Sequence, residues 1–229
     1  MNGVTALKMP LVVAAKEFDF ERLMGNQSQL VLEAQLLYRN SRGEVYVASI
    51  DNENHHYTVA DYLSLPEGAP FQLIKNKLIY MPSPFVLHQM ILGNLHLLIG
   101  SYVKQHKLGF VGIAPLDVHF DEANVFQPDL LFISNDRMDI LQKWVYGAPD
   151  LVVEILSKGT AKIDRSDKME VCGQHGVREY WLIDPKKQRI EVYENEKNKL
   201  HLSQKIEKTG LVTSAAVPGF SFELTTLFE

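Results

Sequence analysis

Cysteine is almost missing from this 229-residue chain, and the single Cys172 excludes both an internal disulfide and a thiolate zinc cage. Its surroundings offer no His or Asn arrangement of the kind that marks a cysteine nucleophile, so the thiol reads as structural. Long apolar runs are missing too: no stretch reaches the roughly 18 to 20 continuous apolar residues of a membrane span. The opening MNGVTALKMPLVVAAKEF has neither a basic start nor a convincing cleavage site, which leads to the expectation of a cytoplasmic protein with no membrane segment. There is no glycine-rich phosphate loop and no serine in a nucleophile elbow. Positive charge is not in excess, since 23 Lys and Arg stand against 28 Asp and Glu, a net charge of -5. That balance argues against a protein that coats nucleic acid through a broad basic face, but it permits a local basic cleft. Lys158, Lys162, Arg165 and Lys168 against Asp164 and Asp167 form one such local excess, or else a solvated helix face.

What is present is core material. Hydrophobic residues make up 46% of the chain and charged residues 22%, the composition of an ordinary globular domain. Residues 1–56 mix short apolar runs such as Leu30-Val31-Leu32 with a turn-like Asn40-Ser41-Arg42-Gly43 and a strand-like Glu44-Val45-Tyr46-Val47-Ala48, and read as an extension packing on a main domain of residues 57–229. Thr58 is placed to cap a short helix through Leu65, stopped by Pro66-Glu67-Gly68. A hairpin follows, with strands Phe71–Ile74 and Leu78–Met81 and the turn Lys75-Asn76-Lys77.

From Phe85 to His106, residues Val86, Met90, Ile91, Leu95, Leu98, Ile99, Tyr102 and Val103 recur at helical intervals, which predicts a long core helix. Strands are expected near Phe110–Ala114, Leu116–Phe120 and Phe126–Ser134. The nearly continuous apolar run Asp150–Leu156 suits a central strand covered on both faces. A helix over Ile163–His175 with Gly176 as its stop, a buried strand at Tyr180–Ile183, and an appendage of short strands over residues 196–229 complete the pattern. This order predicts an α/β (α+β) architecture, a mixed sheet flanked by helices with extra β-hairpins.

Two carboxylates interrupt this apolar pattern. Burying an anion costs several kcal/mol unless a cation or hydrogen bonds compensate it, so Asp129 and Glu154 each need a reason. On neighbouring strands they could share a hard divalent cation such as Mg²⁺ or Mn²⁺; alternatively each meets water or a basic side chain. Lys168, on the helix after the Glu154 strand, is positioned to approach both, or to pair on the surface with Asp164 one turn away. Together the three suffice for phosphodiester hydrolysis by a metal-activated water.

The string GAPDLVVEILSKGTAKIDRSDKMEVCGQHGVREYWLIDP, preceded by FQPDLLFIS, resembles the Uma-two (Uma2) family of restriction-endonuclease-like proteins, a branch of the PD-(D/E)XK nuclease superfamily. The likeness spans residues 57–195. It implies that Asp129 is the motif aspartate, Glu154 the motif glutamate, and Lys168 a lysine moved from the strand to the helix, since the usual strand position holds Leu156. It further implies a Mg²⁺- or Mn²⁺-dependent endonuclease acting on DNA, working as a homodimer. Many members carry Glu where this chain has Gln72, whose neutral amide supports metal waters only by hydrogen bonding. His88 matches a common His and either contacts a metal-bound water or phosphate or serves structurally, while Gln127, two residues before Asp129, is expected on the same strand face. Tyr is frequent in the family at the place of Cys172. Gly176-Val177-Arg178-Glu179-Tyr180-Trp181 reads as architecture, with Glu179 and Asp184 as surface or turn residues. His55-His56 lacks metal-ligand spacing, and His96 and His106 need no role beyond packing or solvation on the long helix. On this reading Lys168→Met would end cleavage while sparing the fold. The alternative is a nuclease fold with weak or no activity, kept as a module that binds nucleic acid or a protein partner.

Overall fold

A computed structural model describes residues 35–39, 45–49, 56–65 and 68–229. The chain divides into two compact units at Glu53/Asn54, three residues before the boundary expected from sequence. In the first unit, strands β1 (Gln35–Arg39) and β2 (Val45–Ser49) pair antiparallel, so the strand-like run at 44–48 does form a strand, one residue further on. Leu30-Val31-Leu32, the turn at 40–43 and His55 lie outside the described residues.

The second unit opens with helix α1 (Val59–Leu63), which Thr58 caps with a full capping box closed by Asp61. Strands β3 (Phe71–Ile74) and β4 (Lys77–Tyr80) form the expected hairpin. Its loop is two residues, Lys75 and Asn76, both at positive φ, the conformation whose twist matches the flanking strands. Helix α2 (Val86–His106) follows. By length and composition alone α2 is apolar enough to cross a bilayer, with a mean hydropathy of 1.2. Here Ile91, Leu92, Leu95, Ile99 and Val103 form its buried stripe, whereas Val86 and Met90, expected in that stripe, are 76% and 52% exposed.

Six strands form the central sheet in the order β13 (Lys199–Glu207), β12 (Arg189–Glu196), β11 (Glu179–Asp184), β10 (Leu151–Ile155), β8 (Leu130–Ser134), β5 (Gly109–Ile113). Only β10 and β11 run parallel, so the sheet is mixed as predicted. Five further strands, β4, β3, β7 (Asn124–Phe126), β6 (Val118–Asp121) and β9 (Val145–Tyr146), make a second sheet.

Strand alternation sorts the central strands into two cores. Leu130, Phe132, Leu151, Val153, Ile155 and Trp181 point to one face and pack with α2; Leu131, Ile133, Val152, Tyr180 and Leu182 point to the other and pack with Val171 and Cys172. The C-terminal strands β14 (Leu211–Thr213) and β15 (Ser221–Glu223) belong to the first core, to which Val212, Val217, Phe220, Phe222, Leu224 and Leu227 contribute.

Three expectations are corrected. The single strand over Phe126–Ser134 is two strands, β7 and β8, in different sheets, because Gln127-Pro128-Asp129 breaks the ladder where Pro128 has no N–H to donate. The helix over 163–175 is two, α3 (Ala161–Asp164) and α4 (Asp167–Gln174), parted at Ser166, whose φ of -123° and ψ of -88° are not helical. Glu179 is no surface residue: it is fully buried and accepts hydrogen bonds from the Ser214 hydroxyl and the Ala215 and Ala216 amides, tying the C-terminal segment to β11.

Candidate active site

β8 and β10 pair antiparallel with Val153 opposite Leu130, so the next step of the register sets Glu154 beside Asp129 at the end of β8. Glu154 shares the face of Val152, the side that carries α4, which is why Lys168 can reach it. Lys168 Nζ donates to Glu154 Oε1 at 2.9 Å. The ammonium also lies 3.2 Å from Asp164 Oδ1, an ion pair without a formed hydrogen bond, since that oxygen is buried and accepts none. All three groups are buried, and the Phe126 ring lies 5.5 Å from Nζ. The pairing of Lys168 with Asp164 is therefore real but internal rather than on the surface.

Asp129 is gripped at one oxygen. Its Oδ2 accepts from the Ile155 amide at 2.7 Å and lies 3.1 Å from His88 Nε2, at the start of α2. No protein donor among the described residues engages Oδ1. His88 Nδ1 is buried without a partner. Gln72 on β3 is buried; its amide nitrogen is 3.5 Å from the Gln127 carbonyl, and its Oε1 is buried and accepts no hydrogen bond. The Gln127 side chain donates instead to Asp117 Oδ1 at 2.8 Å, a carboxylate that also accepts from the Tyr62 hydroxyl. Leu156 packs against the second core.

Electrostatics sharpen the picture. Burial pushes the Glu154 carboxyl well above the usual range, the Asp164 and Asp129 charges push the same way, and Lys168 opposes them. Asp164 is raised for the same chief reason, burial. Burial alone would lower Lys168, yet the Glu154 and Asp164 charges outweigh it and keep the amine protonated. For His88 too burial opposes the charged form, but the Asp129 hydrogen bond and charge lift it above the ordinary imidazole value. Three carboxylates thus face at most two cations, Lys168 and a protonated His88, so the cluster carries one uncompensated negative charge at its fully ionised limit.

Asp129 Oδ1 is unengaged and Gln72 Oε1 is buried without a donor, oxygens of the kind a hard divalent cation takes. Among the described residues no group of three or more His, Cys, Asp or Glu side chains gathers to hold a metal ion. The rest of the 158–168 stretch is already spoken for: Arg165 pairs with Glu191 and Asp167 with Lys75, leaving Lys158 and Lys162 as its exposed charges. Surface hollows along His96, Gly100 and Lys104 and along Gly176, Arg178 and Asn198 do not touch the acidic cluster.

Residues 59–226 match the Uma2 family, described as a putative restriction endonuclease. The chain belongs to this family. The match runs beyond the expected 57–195 to include the C-terminal strands, in keeping with their place in the core. Among solved structures, the chain is similar to a putative nuclease belonging to DUF820 from Anabaena variabilis ATCC 29413, at 25% identity and a TM-score of 0.63, over 75% of this chain and 97% of that one. A comparison with curated proteins gives no match. Family and neighbour agree on a restriction-endonuclease-like nuclease fold.

Sequence reasoning underrated Asp164, which it read as a surface partner for Lys168. In the helix expected over 163–175, Asp164, Lys168, Val171 and Cys172 fall at i, i+4, i+7 and i+8, in line with core residues, although the chain breaks that helix at Ser166.

Proposed function

We propose that this Uma2 protein is a Mg²⁺- or Mn²⁺-dependent endonuclease that hydrolyses DNA phosphodiesters. The observation that carries the reading is the convergence of Lys168 on Glu154, beside an Asp129 whose Oδ1 takes no protein hydrogen bond. Asp129 and Glu154 would hold the ion. A bound divalent cation supplies an activated water at neutral pH and draws charge from the phosphate. His88 and the Ile155 amide fix the Asp129 carboxylate in place, and the Lys168 ammonium orients the attacking water or offsets charge developing on the phosphate. A two-fold dimer would offer one such site to each strand of a duplex, which sedimentation of the full chain would detect.

Plasmid DNA, RNA and nucleotide substrates incubated with the protein test the reading. DNA cut with Mg²⁺ or Mn²⁺ and spared in EDTA is the expected result; cleavage unaffected by EDTA, or none with any substrate, contradicts it.

One feature favours a second reading, a binding module with weak activity: Gln72 is neutral where the resemblance to the family implies a Glu. The readings part on a single substitution. Gln72→Glu should tighten Mn²⁺ binding by about tenfold and raise cleavage, by adding a carboxylate where a buried Oε1 now accepts nothing. If calorimetry shows no gain for this variant, the position does not address the ion.

A further inference from the structure

Two carboxylates hold Lys168 where one would neutralise it. Nζ lies 2.9 Å from Glu154 Oε1 and 3.2 Å from Asp164 Oδ1. Asp164 is only 1% exposed, and its Oδ1 forms no hydrogen bond. A second buried carboxylate adds desolvation cost without being needed to balance the ammonium. Its other polar contacts are local to α3 and β11: Thr160 hydrogen-bonds the Asp164 side chain, and the Tyr180 hydroxyl donates to its main-chain carbonyl.

The arrangement makes sense once Glu154 has a second claimant. Lys168 occupies one Glu154 oxygen. A divalent cation drawn to the same carboxylate would repel that ammonium at close range in a buried site. The ammonium then needs another anion within reach, and Asp164, at 3.2 Å, is already there.

Resting on the metal-dependent reading above, we infer that Asp164 is a positioning residue that takes up the Lys168 ammonium when Glu154 engages a divalent cation, so that lysine and metal occupy the site together. Asp164 touches neither substrate nor metal in this role. It acts through Lys168, and its loss is felt only where Lys168 is present.

That dependence supplies the test, a Mn²⁺ titration of the full-length chain by calorimetry across a double-mutant cycle. Asp164→Asn should weaken Mn²⁺ binding by about tenfold, the scale of losing a partner that orders a metal site. In a Lys168→Met background the same substitution should change affinity by no more than about twofold, the limit of additive behaviour. An equal loss in both backgrounds would mean that Asp164 acts only as general negative charge, and no loss in the natural background would mean that it does not act at all; either overturns the inference. Absence of saturable binding to the unaltered chain removes the metal-dependent reading and this inference with it, an outcome distinct from saturable binding that Asp164→Asn leaves untouched. Melting in EDTA reports whether each variant folds. Should Asp164→Asn not fold, Lys168→Met alone decides: with Asp164 taking up the ammonium as the ion arrives, its removal shifts Mn²⁺ affinity by less than about threefold, whereas a larger gain identifies Lys168 as a direct competitor.

Discussion

Lys168→Met should abolish cleavage and, in EDTA, lower the melting temperature of the protein by about 6–20 °C. The first effect follows from removing the one amine that the described residues place in the acidic cluster, a loss of at least about a hundredfold in rate if the ammonium stabilises charge as a preorganised donor does. The second corrects the expectation from sequence that the fold would be spared. Lys168, Glu154 and Asp164 are 2%, 3% and 1% exposed, so the variant strands two carboxyl groups in the interior with no cation. Removing one partner of a buried pair costs about 3–5 kcal/mol, and each kcal/mol shifts the midpoint of a domain this size by about 2–4 °C. Assay of supercoiled DNA and differential scanning calorimetry in EDTA check the two effects separately. A variant that melts like the parent would show that the lysine is not the charge balance of this core.

Glu154→Gln gives the opposite stability result with the same loss of activity. It removes one of the two carboxylates that would hold the metal, so Mn²⁺ binding and cleavage fall below detection. Stability in EDTA rises rather than falls. Burial lifts the Glu154 carboxyl well above its ordinary value, which means that the native state keeps a proton that the unfolded chain releases near pH 4.3, about the value for an unhindered Glu. The folded form binds more protons over that interval, so this residue's contribution to stability declines as pH climbs from about 4.3 through the folded value. Glutamine has no proton to lose, and Lys168 retains Asp164 as its partner. The variant's advantage over the parent in EDTA should therefore widen between pH 5 and pH 8, read from melting temperatures at the two values. A disadvantage that grows over the same interval would mean that Glu154 is stabilised as an ion by Lys168 and that the burial argument is mistaken.

Much of the fold was legible because its signals are local. The helix cap at Thr58, the hairpin turning at Lys75-Asn76 (with Lys77, expected in the turn, already in β4), the long stripe from Ile91 to Val103 and the apolar β10 each follow from a short stretch of chain. What escaped was set by contacts distant in sequence. Glu179 reads as a turn residue until the Ser214–Ala216 segment arrives to satisfy it. The split of β7 from β8 depends on two sheets diverging at Pro128, although the proline itself was in view. At the candidate site, residue types and order pointed to Asp129, Glu154 and Lys168, and the structure places Lys168 on Glu154 and brings His88 to Asp129. Gln127 shows the limit of strand periodicity. Its expected face assumed a continuous strand, and with the ladder broken its amide turns to Asp117 instead.

Whether Asp129 and Glu154 share one divalent cation is tested most directly by titrating Mn²⁺ into the full chain by isothermal calorimetry, with Asp129→Ala alongside. One saturable site in the natural protein that vanishes in the variant, with both melting cooperatively in EDTA, is the predicted result. Heat of binding that is identical in the two proteins, or absent from both, would contradict it.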